Sequence, residues 1–190
     1  MSASDQQKQG ILYLITCAAQ SSEPMDIQDL VRLAQAALWD VYLIATPQAT
    51  KFIDIPLLES LTGHQIRSEY RHPTETESTP QADAVVVAPT TFNTINKWAQ
   101  GITDTLALGI LCEYMGLGMP IITIPCLPES LACHPVFSKN IALLKECGVF
   151  VLYDPHKYPP MNNIPWEVVL DTLHKATTKY VLQLQKEEVY

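Results

Sequence analysis

The order of apolar segments in this 190-residue chain predicts an α/β protein of three layers, with helices on both faces of one sheet. Short segments rich in valine, leucine and isoleucine alternate with stretches that show helical periodicity. This alternation favours right-handed crossovers between parallel strands, because each helix packs back onto the sheet it left. The expected fold is therefore three-layer α/β/α, Rossmann-like and doubly wound, with a mainly parallel sheet of about six strands. Residues 1–10 form a polar tail in this interpretation, and residues 11–190 form a single domain.

The first half of the chain contributes three of the predicted strands. ILYLIT (11–16) and VYLIA (41–45) are short and apolar on both faces, as buried parallel strands are. Residues 25–39 between them place apolar side chains at helical spacing. Helical turns interrupted at Pro56 follow the second strand, and QIRSEY (65–70) predicts a third, more exposed strand.

The second half of the chain repeats the alternation after a polar, proline-containing loop at 71–81. Its predicted strands are AVVVA (84–88), PIITI (120–124) and VFVLY (149–153). Its predicted helices cover 91–100, 103–116, about 136–146 and, at the C-terminus, about 165–186.

Composition excludes several classes of function. A net charge of −8 and only 12 basic residues, none of them in a run, argue against a nucleic-acid surface. No signal peptide is visible, and the most apolar stretch is broken by Glu113 and Pro120, so no membrane span is expected. The five cysteines lack Cys-x-x-Cys spacing, which argues against a disulfide framework or a zinc site and fits a reducing cytoplasm.

The segment PTTFNT (89–94) concentrates small hydrogen-bonding side chains where a predicted strand meets a predicted helix. A helix N-terminus offers free N–H groups and a positive dipole end, so it binds phosphate well. Thr90, Thr91 and Thr94 add hydroxyl groups and Asn93 adds an amide. The alternative is that one threonine is only an N-cap and the others fill a turn.

Ligands of open parallel sheets bind at the carboxyl ends of the strands, so the loops after the other strands matter as well. Thr46 and Thr50 follow the second strand and either reach a phosphate or only start a helix. Cys17 and Ala18 begin a loop of small residues, CAAQSS, that leaves room for a flat ring close to the backbone. Neither a Gly-x-Gly-x-x-Gly motif nor a P-loop is present.

The loop PCLPESLACHP (125–135) holds the reactive side chains. Cys126 is a candidate nucleophile if a helix N-terminus or His134 lowers its pKa, and otherwise it is an inert, small apolar residue. Cys133 and His134 are too few for a metal site, so no metal is expected. His64 and His72 flank the exposed third strand as surface histidines or, alternatively, as a general base.

The stretch from residue 82 to 107 resembles the flavoprotein family that contains phosphopantothenoylcysteine decarboxylase and the lantibiotic cysteine decarboxylases. That family carries Pro-Ala-Ser-Ala-Asn-Thr after a strand, then Ile-Ala-Lys and Gly-x-x-Asp. The matching residues here are Pro89, Thr91, Asn93, Thr94, Ile95, Lys97, Gly101 and Asp104. Residues 44–53 are similar to the family's Thr-x-Ser-Ala-Thr-x-Phe segment, with Gln48 in place of the serine. The resemblance covers roughly residues 11–153.

The resemblance implies FMN as the cofactor, with its phosphate at Thr91 and Thr94 and its ring near the CAAQSS and PCLPES loops. It also implies a homo-oligomer, a trimer or a multiple of trimers, with FMN close to a subunit interface. The cofactor-binding residues expected on this basis are Cys17, Ala18, Thr46, Thr50, Pro89, Thr90, Thr91, Asn93, Thr94, Asp104 and Cys126.

The sequence departs from the family at the residues that carry decarboxylation. The family's histidine position falls near Glu75, and the nearest histidine is His72. Pro125-Cys126-Leu127-Pro128 stands where the family has Pro-x-Met-Asn, so Pro128 replaces the asparagine that helps to hold the substrate carboxylate. The Cys-Gly-rich segment that holds the substrate, late in the family's sequence, is missing here as well. Two functions therefore stay open: an FMN-dependent small-molecule enzyme, either an oxidoreductase or decarboxylase-like, and a non-catalytic regulatory or partner subunit.

Overall fold

A computed structural model describes residues 9–19, 26–71, 79–154 and 165–187 of the chain. These residues form one sheet of five strands in the order β2-β1-β3-β4-β5, and every neighbouring pair is parallel. The strands are β1 Gly10–Thr16, β2 Trp39–Ala45, β3 Ala84–Thr90, β4 Ile121–Pro125 and β5 Phe150–Val151. The strand order reverses between β1 and β3, as in a doubly wound fold, which confirms the predicted class.

Seven α-helices connect or follow these strands in the described ranges. They are α1 Ile27–Ala36, α2 Ile55–Thr62, α3 Phe92–Ala99, α4 Leu106–Gly116, α5 Glu129–Ala132, α6 Pro135–Glu146 and α7 Trp166–Glu187. Each of them is too short or too polar to cross a membrane.

The helices form two layers because alternate residues of each strand face opposite sides of the sheet. Leu12 and Leu14 of β1 pack in a core with residues of α1, α2 and α7. Tyr13 and Ile15 pack in a second core with residues of α3, α4 and α6. The expected three-layer arrangement follows directly from this alternation.

Helix boundaries in the first half of the chain differ from the expectation for physical reasons. The first helix ends at Ala36 rather than at Trp39, because Leu38 adopts a left-handed backbone (φ 68) and Trp39 already belongs to β2. Pro56 does not interrupt a helix. It lies in the first turn of α2, where proline is well tolerated. Asp54 is the N-cap of this helix, and its side chain accepts a hydrogen bond from the Leu57 N–H.

The sheet has five strands in the described residues rather than about six. The predicted strand at 65–70 is reduced to one bridge, in which Arg67 exchanges backbone hydrogen bonds with Leu43 and Ala45 of β2. The neighbouring residues of this polar segment form no further bridges with β2. β5 is also shorter than predicted, because it pairs with β4 only at Ile122 and Thr123.

Candidate functional site

A cleft of ≈ 770 Å³ opens at the carboxyl ends of the strands, where the strand order reverses. Its volume lies within the range of about 300–1,000 Å³ that is usual for small-molecule sites. The loops after β1, β2, β3 and β4 all contribute to its walls, through residues such as Ala18, Thr46, Thr91 and Cys126. The cleft therefore brings together the strand-end loops that the sequence marked for inspection.

The N-terminus of α3 forms one end of this cleft. Thr91 is the N-cap, and its hydroxyl oxygen accepts a hydrogen bond from the Thr94 N–H at 3.3 Å. Ile95 and Trp98 anchor the helix by complete burial against the sheet. Thr91, Asn93 and Thr94 line the cleft together.

A short hydrogen-bonded chain of side chains runs from the sheet to this helix end. The Cys17 sulfur lies 3.4 Å from the Thr94 hydroxyl oxygen, which in turn lies 2.9 Å from the Thr91 hydroxyl oxygen. Cys17 is buried, and burial raises the pKa of its thiol, although hydrogen bonding with Thr94 and Thr91 opposes part of the shift. Cys17 therefore reaches the cleft through Thr94.

Pro89 and Thr90, which were expected to contact a cofactor, end β3 and are not among the residues that line the cleft. The Thr90 hydroxyl is buried, donates to the Val87 carbonyl at 2.9 Å and lies 2.6 Å from the Thr123 hydroxyl of β4. This pair ties the ends of two neighbouring strands and leaves no Thr90 group facing the cleft. The Pro89 carbonyl accepts a hydrogen bond from the Cys17 N–H at 3.1 Å, which links the loops after β1 and β3.

The two threonines after β2 also separate. Thr46 lines the cleft, and its hydroxyl oxygen lies 3.4 Å from the Ala49 N–H nitrogen. The Thr50 hydroxyl donates to the Pro47 carbonyl at 2.8 Å and is not part of the cleft wall. The second threonine thus stabilises its own turn.

An ion pair borders the cleft beside α3. The Lys97 ammonium lies 2.5 Å from an Asp104 carboxylate oxygen, and Lys97 is the one charged side chain in the described wall. Asp104, which was expected to bind a cofactor, is paired with Lys97, and it is not among the residues of the described cleft wall. Thr105, which caps α4 with its hydroxyl, completes this side.

The opposite wall is apolar. Phe92, Leu127, Pro128 and Leu131 contribute to it together with Cys126. Burial raises the pKa of the Cys126 thiol, so at neutral pH the sulfur is protonated and a poor nucleophile. This environment favours the interpretation of Cys126 as a small apolar wall residue.

The histidines lie outside the cleft wall where they are described. His134 caps α6, because its Nδ1 accepts a hydrogen bond from the Val136 N–H at 3.2 Å. His64 Nε2 lies 2.7 Å from Asp40 Oδ1, and its ring stacks on Tyr42 with centroids 3.8 Å apart. Asp40 sits near the amino end of β2, away from the cleft edge. His72 and Glu75 lie outside the described residues.

The sequence did not single out several residues that line the cleft. Lys97 matches the family motif but was not among the predicted site residues, although it follows Thr94 by three residues, a spacing that places both on one helical face. Phe52 and Leu131 carry no chemical motif, and only the tertiary fold brings them to the wall.

Comparison with known protein families identifies the family of this chain. The profile of the family described as Flavoprotein matches residues 1–178. The chain belongs to the Flavoprotein family. The resemblance that rests on residues 89–104 is thereby confirmed.

Curated relatives of this Flavoprotein chain are similar over part of their length. The coenzyme A biosynthesis bifunctional protein CoaBC of Thermococcus kodakarensis is 32% identical over 115 residues, which are 58% of this chain and 28% of that protein. A cysteine/cysteine sulfinic acid decarboxylase from an unknown prokaryotic organism is 32% identical over 71 residues, 37% of this chain and 19% of that protein. The chain thus spans less than a third of these relatives.

Solved structures of decarboxylases share the fold. Peptidyl-cysteine decarboxylase EpiD superposes with a TM-score of 0.68 at 26% identity, covering 86% of this chain and 97% of that one. The FMN-dependent cysteine decarboxylase SpaF gives a TM-score of 0.69 at 19% identity, covering 88% of this chain and 97% of that one. This Flavoprotein member therefore has the architecture of known decarboxylases.

Proposed function

We propose that this chain binds FMN in the cleft at the carboxyl edge of its sheet. The observation that carries the proposal is the pairing, in one cleft, of an anion-binding helix end with an apolar wall. Membership in the Flavoprotein family and similarity to FMN-dependent enzymes support it.

The donor groups fit a phosphate. The Thr91 hydroxyl, the Asn93 amide and the free N–H groups of the first turn of α3 face one end of the cleft. Lys97 adds a positive charge on the same helix, and Asp104 fixes its position.

The remaining walls fit a flat ring. Ala18 and Ala19 leave the backbone after β1 accessible on one side, and Leu127 and Leu131 supply apolar contact on the other. Bound FMN supplies redox chemistry, while the protein supplies binding, orientation and exclusion of water.

The activity proposed is that of a small-molecule flavoenzyme, either an oxidoreductase or decarboxylase-like. Similarity to proteins named as cysteine decarboxylases supports the second class. Pro128, however, offers no hydrogen-bond donor to a substrate carboxylate, and the Cys126 thiol is held in its protonated form.

A second candidate is a non-catalytic regulatory or partner subunit that keeps the flavin fold. The same wall favours it, because Pro125 to Pro128 carry no side-chain amide at the place where the family has the asparagine that helps to hold its substrate. A bound flavin that no candidate substrate reduces, with no conversion of that substrate, is the expected signature of this alternative.

We also propose a cytoplasmic homo-oligomer, a trimer or a multiple of trimers, built from one domain over residues 11–190. Phe52 supports an interface near the cleft, because this large apolar side chain at the rim is 65% exposed. Light scattering on the purified protein tests the proposal, and a monomer at micromolar concentration contradicts it.

The decisive experiment is the visible absorption spectrum of the purified protein before and after addition of FMN and desalting. We expect an oxidised-flavin spectrum that survives desalting. Anaerobic incubation with thiols, amino acids and nicotinamide cofactors then separates the two functions, since an enzyme reduces its flavin faster than free FMN is reduced or converts the added compound. A protein that retains no FMN overturns the proposal.

A further inference from the structure

We infer that Cys17 is a positioning residue for phosphate recognition, whose thiol orients two threonine hydroxyls so that Thr91 donates a hydrogen bond into the cleft. The inference rests on the proposed function. It adds which group donates in each of the two hydrogen bonds that link Cys17 to Thr94 and Thr94 to Thr91.

The surroundings of the Cys17 sulfur fix the first step. The Cys17 sulfur lies 3.4 Å from the Thr94 hydroxyl oxygen, a contact in which either group can donate. The Thr94 oxygen is therefore an acceptor within reach of the S–H group.

Cys17 retains that proton at neutral pH. The side chain is only 5% exposed, and the sheet edge around it disfavours the thiolate. A buried S–H without an acceptor loses free energy, which selects the arrangement in which it donates to Thr94.

The direction of the next hydrogen bond follows from the need of the buried Thr94 hydroxyl for an acceptor. When Thr94 accepts from Cys17, the side-chain contact that remains for its own proton is the Thr91 oxygen at 2.9 Å. The Thr91 oxygen also accepts from the Thr94 N–H. With both acceptor positions used, the Thr91 proton is directed into the cleft that Thr91 lines.

If the donors and acceptors of these hydrogen bonds were reversed, the cleft would disfavour an anionic ligand. If Thr91 donated to Thr94 and Thr94 to sulfur, the Cys17 proton would lack this acceptor. Thr91 would then present a lone pair to the cleft, which repels a phosphate oxygen. Cys17 therefore favours an anionic ligand although it does not touch the ligand itself.

The test compares FMN with riboflavin, which has the same ring and ribityl chain without the phosphate. Dissociation constants of both ligands are measured by flavin fluorescence for the wild type and for Cys17→Ala, Cys17→Val and Cys17→Ser. We expect the preference for FMN over riboflavin to fall about fivefold in the alanine and valine variants, as for loss of one oriented hydrogen bond. Serine keeps an O–H donor and is expected to restore most of the preference.

Cys112→Ala is the matched control, because Cys112 is a half-buried cysteine of α4 outside the cleft wall. Its preference for FMN is expected to equal that of the wild type. Valine preserves most of the packing volume at position 17, so the comparison remains possible if the alanine variant folds poorly.

The outcomes separate the two proposals. A wild type that binds neither flavin overturns the proposed function and this inference with it. A wild type that binds FMN, with an unchanged ratio of FMN to riboflavin affinity in Cys17→Ala or Cys17→Val, overturns the inference alone. Equal losses for both ligands also overturn it, because they indicate a packing role.

Discussion

The loops after β3 and after β2 both place two threonines at the same edge of the sheet, yet the structure uses them differently. After β3, Thr91 and Thr94 line the cleft as a hydrogen-bonded pair linked to a buried thiol. After β2, the Thr50 hydroxyl donates to a carbonyl of its own turn, outside the cleft wall.

The difference lies in where the hydroxyl protons go. A threonine whose proton is used by the backbone stabilises a turn, whereas a threonine whose proton remains available can bind a ligand. The number of hydroxyl groups at a strand end therefore predicts a binding site less well than the set of acceptors around them.

The largest expected effect comes from removing donors on the β3 side. The double variant Asn93→Ala, Thr94→Ala is expected to weaken FMN binding about a hundredfold, because it removes the Asn93 amide and the hydroxyl that orients Thr91. Each hydrogen bond to a charged phosphate contributes about 1.5–3 kcal/mol. Flavin content after desalting, measured beside circular dichroism, checks the result. A folded double variant with full flavin content would contradict the proposal that this turn binds the FMN phosphate.

An intermediate effect is expected within β3, where a hydroxyl serves stability alone. Thr90→Val leaves the buried Thr123 hydroxyl without its closest partner, and we expect the free energy of unfolding to fall by about 1–3 kcal/mol. Thr90→Val, Thr123→Val removes both groups and is expected to recover much of the loss. Urea denaturation of the wild type, Thr90→Val, Thr123→Val and the double variant measures this. A loss of stability in the double variant that equals or exceeds the sum of the two single losses contradicts it.

The smallest effect is expected on the β2 side. Thr50→Ala removes one hydrogen bond within a partly exposed turn, so stability should fall by no more than about 1 kcal/mol. Its affinity for FMN should stay within about twofold of the wild type, since no binding contact is lost. Isothermal titration of FMN into both proteins provides the comparison, and a tenfold loss would place Thr50 in the site after all.

The sequence predicts the layers and the location of the cleft because these depend on local patterns. Runs such as 84–88 are apolar on both faces, which indicates a strand covered by helices on either side. The same reasoning fails for residues 65–70. This polar segment was predicted to be a strand, but it pairs with β2 through a single bridge at Arg67.

The roles of individual polar residues depend on tertiary neighbours and are less accessible from sequence. Thr90 and Thr91 are adjacent and chemically identical, yet one is bonded within the sheet and the other lines the cleft. Alternation along the strand suggests that they face opposite sides, but the presence of Thr123 opposite Thr90 follows only from the pairing of β3 with β4. Asp104 likewise contacts Lys97 because the turn before α4 folds back on α3.

The bond between Thr90 and Thr123 has a consequence for the kinetics of ligand capture. The two loops that follow β3 and β4 form facing walls of the cleft, and this buried bond, together with the Cys126 N–H to Thr90 carbonyl bond of 2.9 Å, fixes the spacing between their bases. A ligand then meets walls that are already separated by the correct distance. Association should proceed in a single step whose rate rises linearly with ligand concentration, without a slower closing phase.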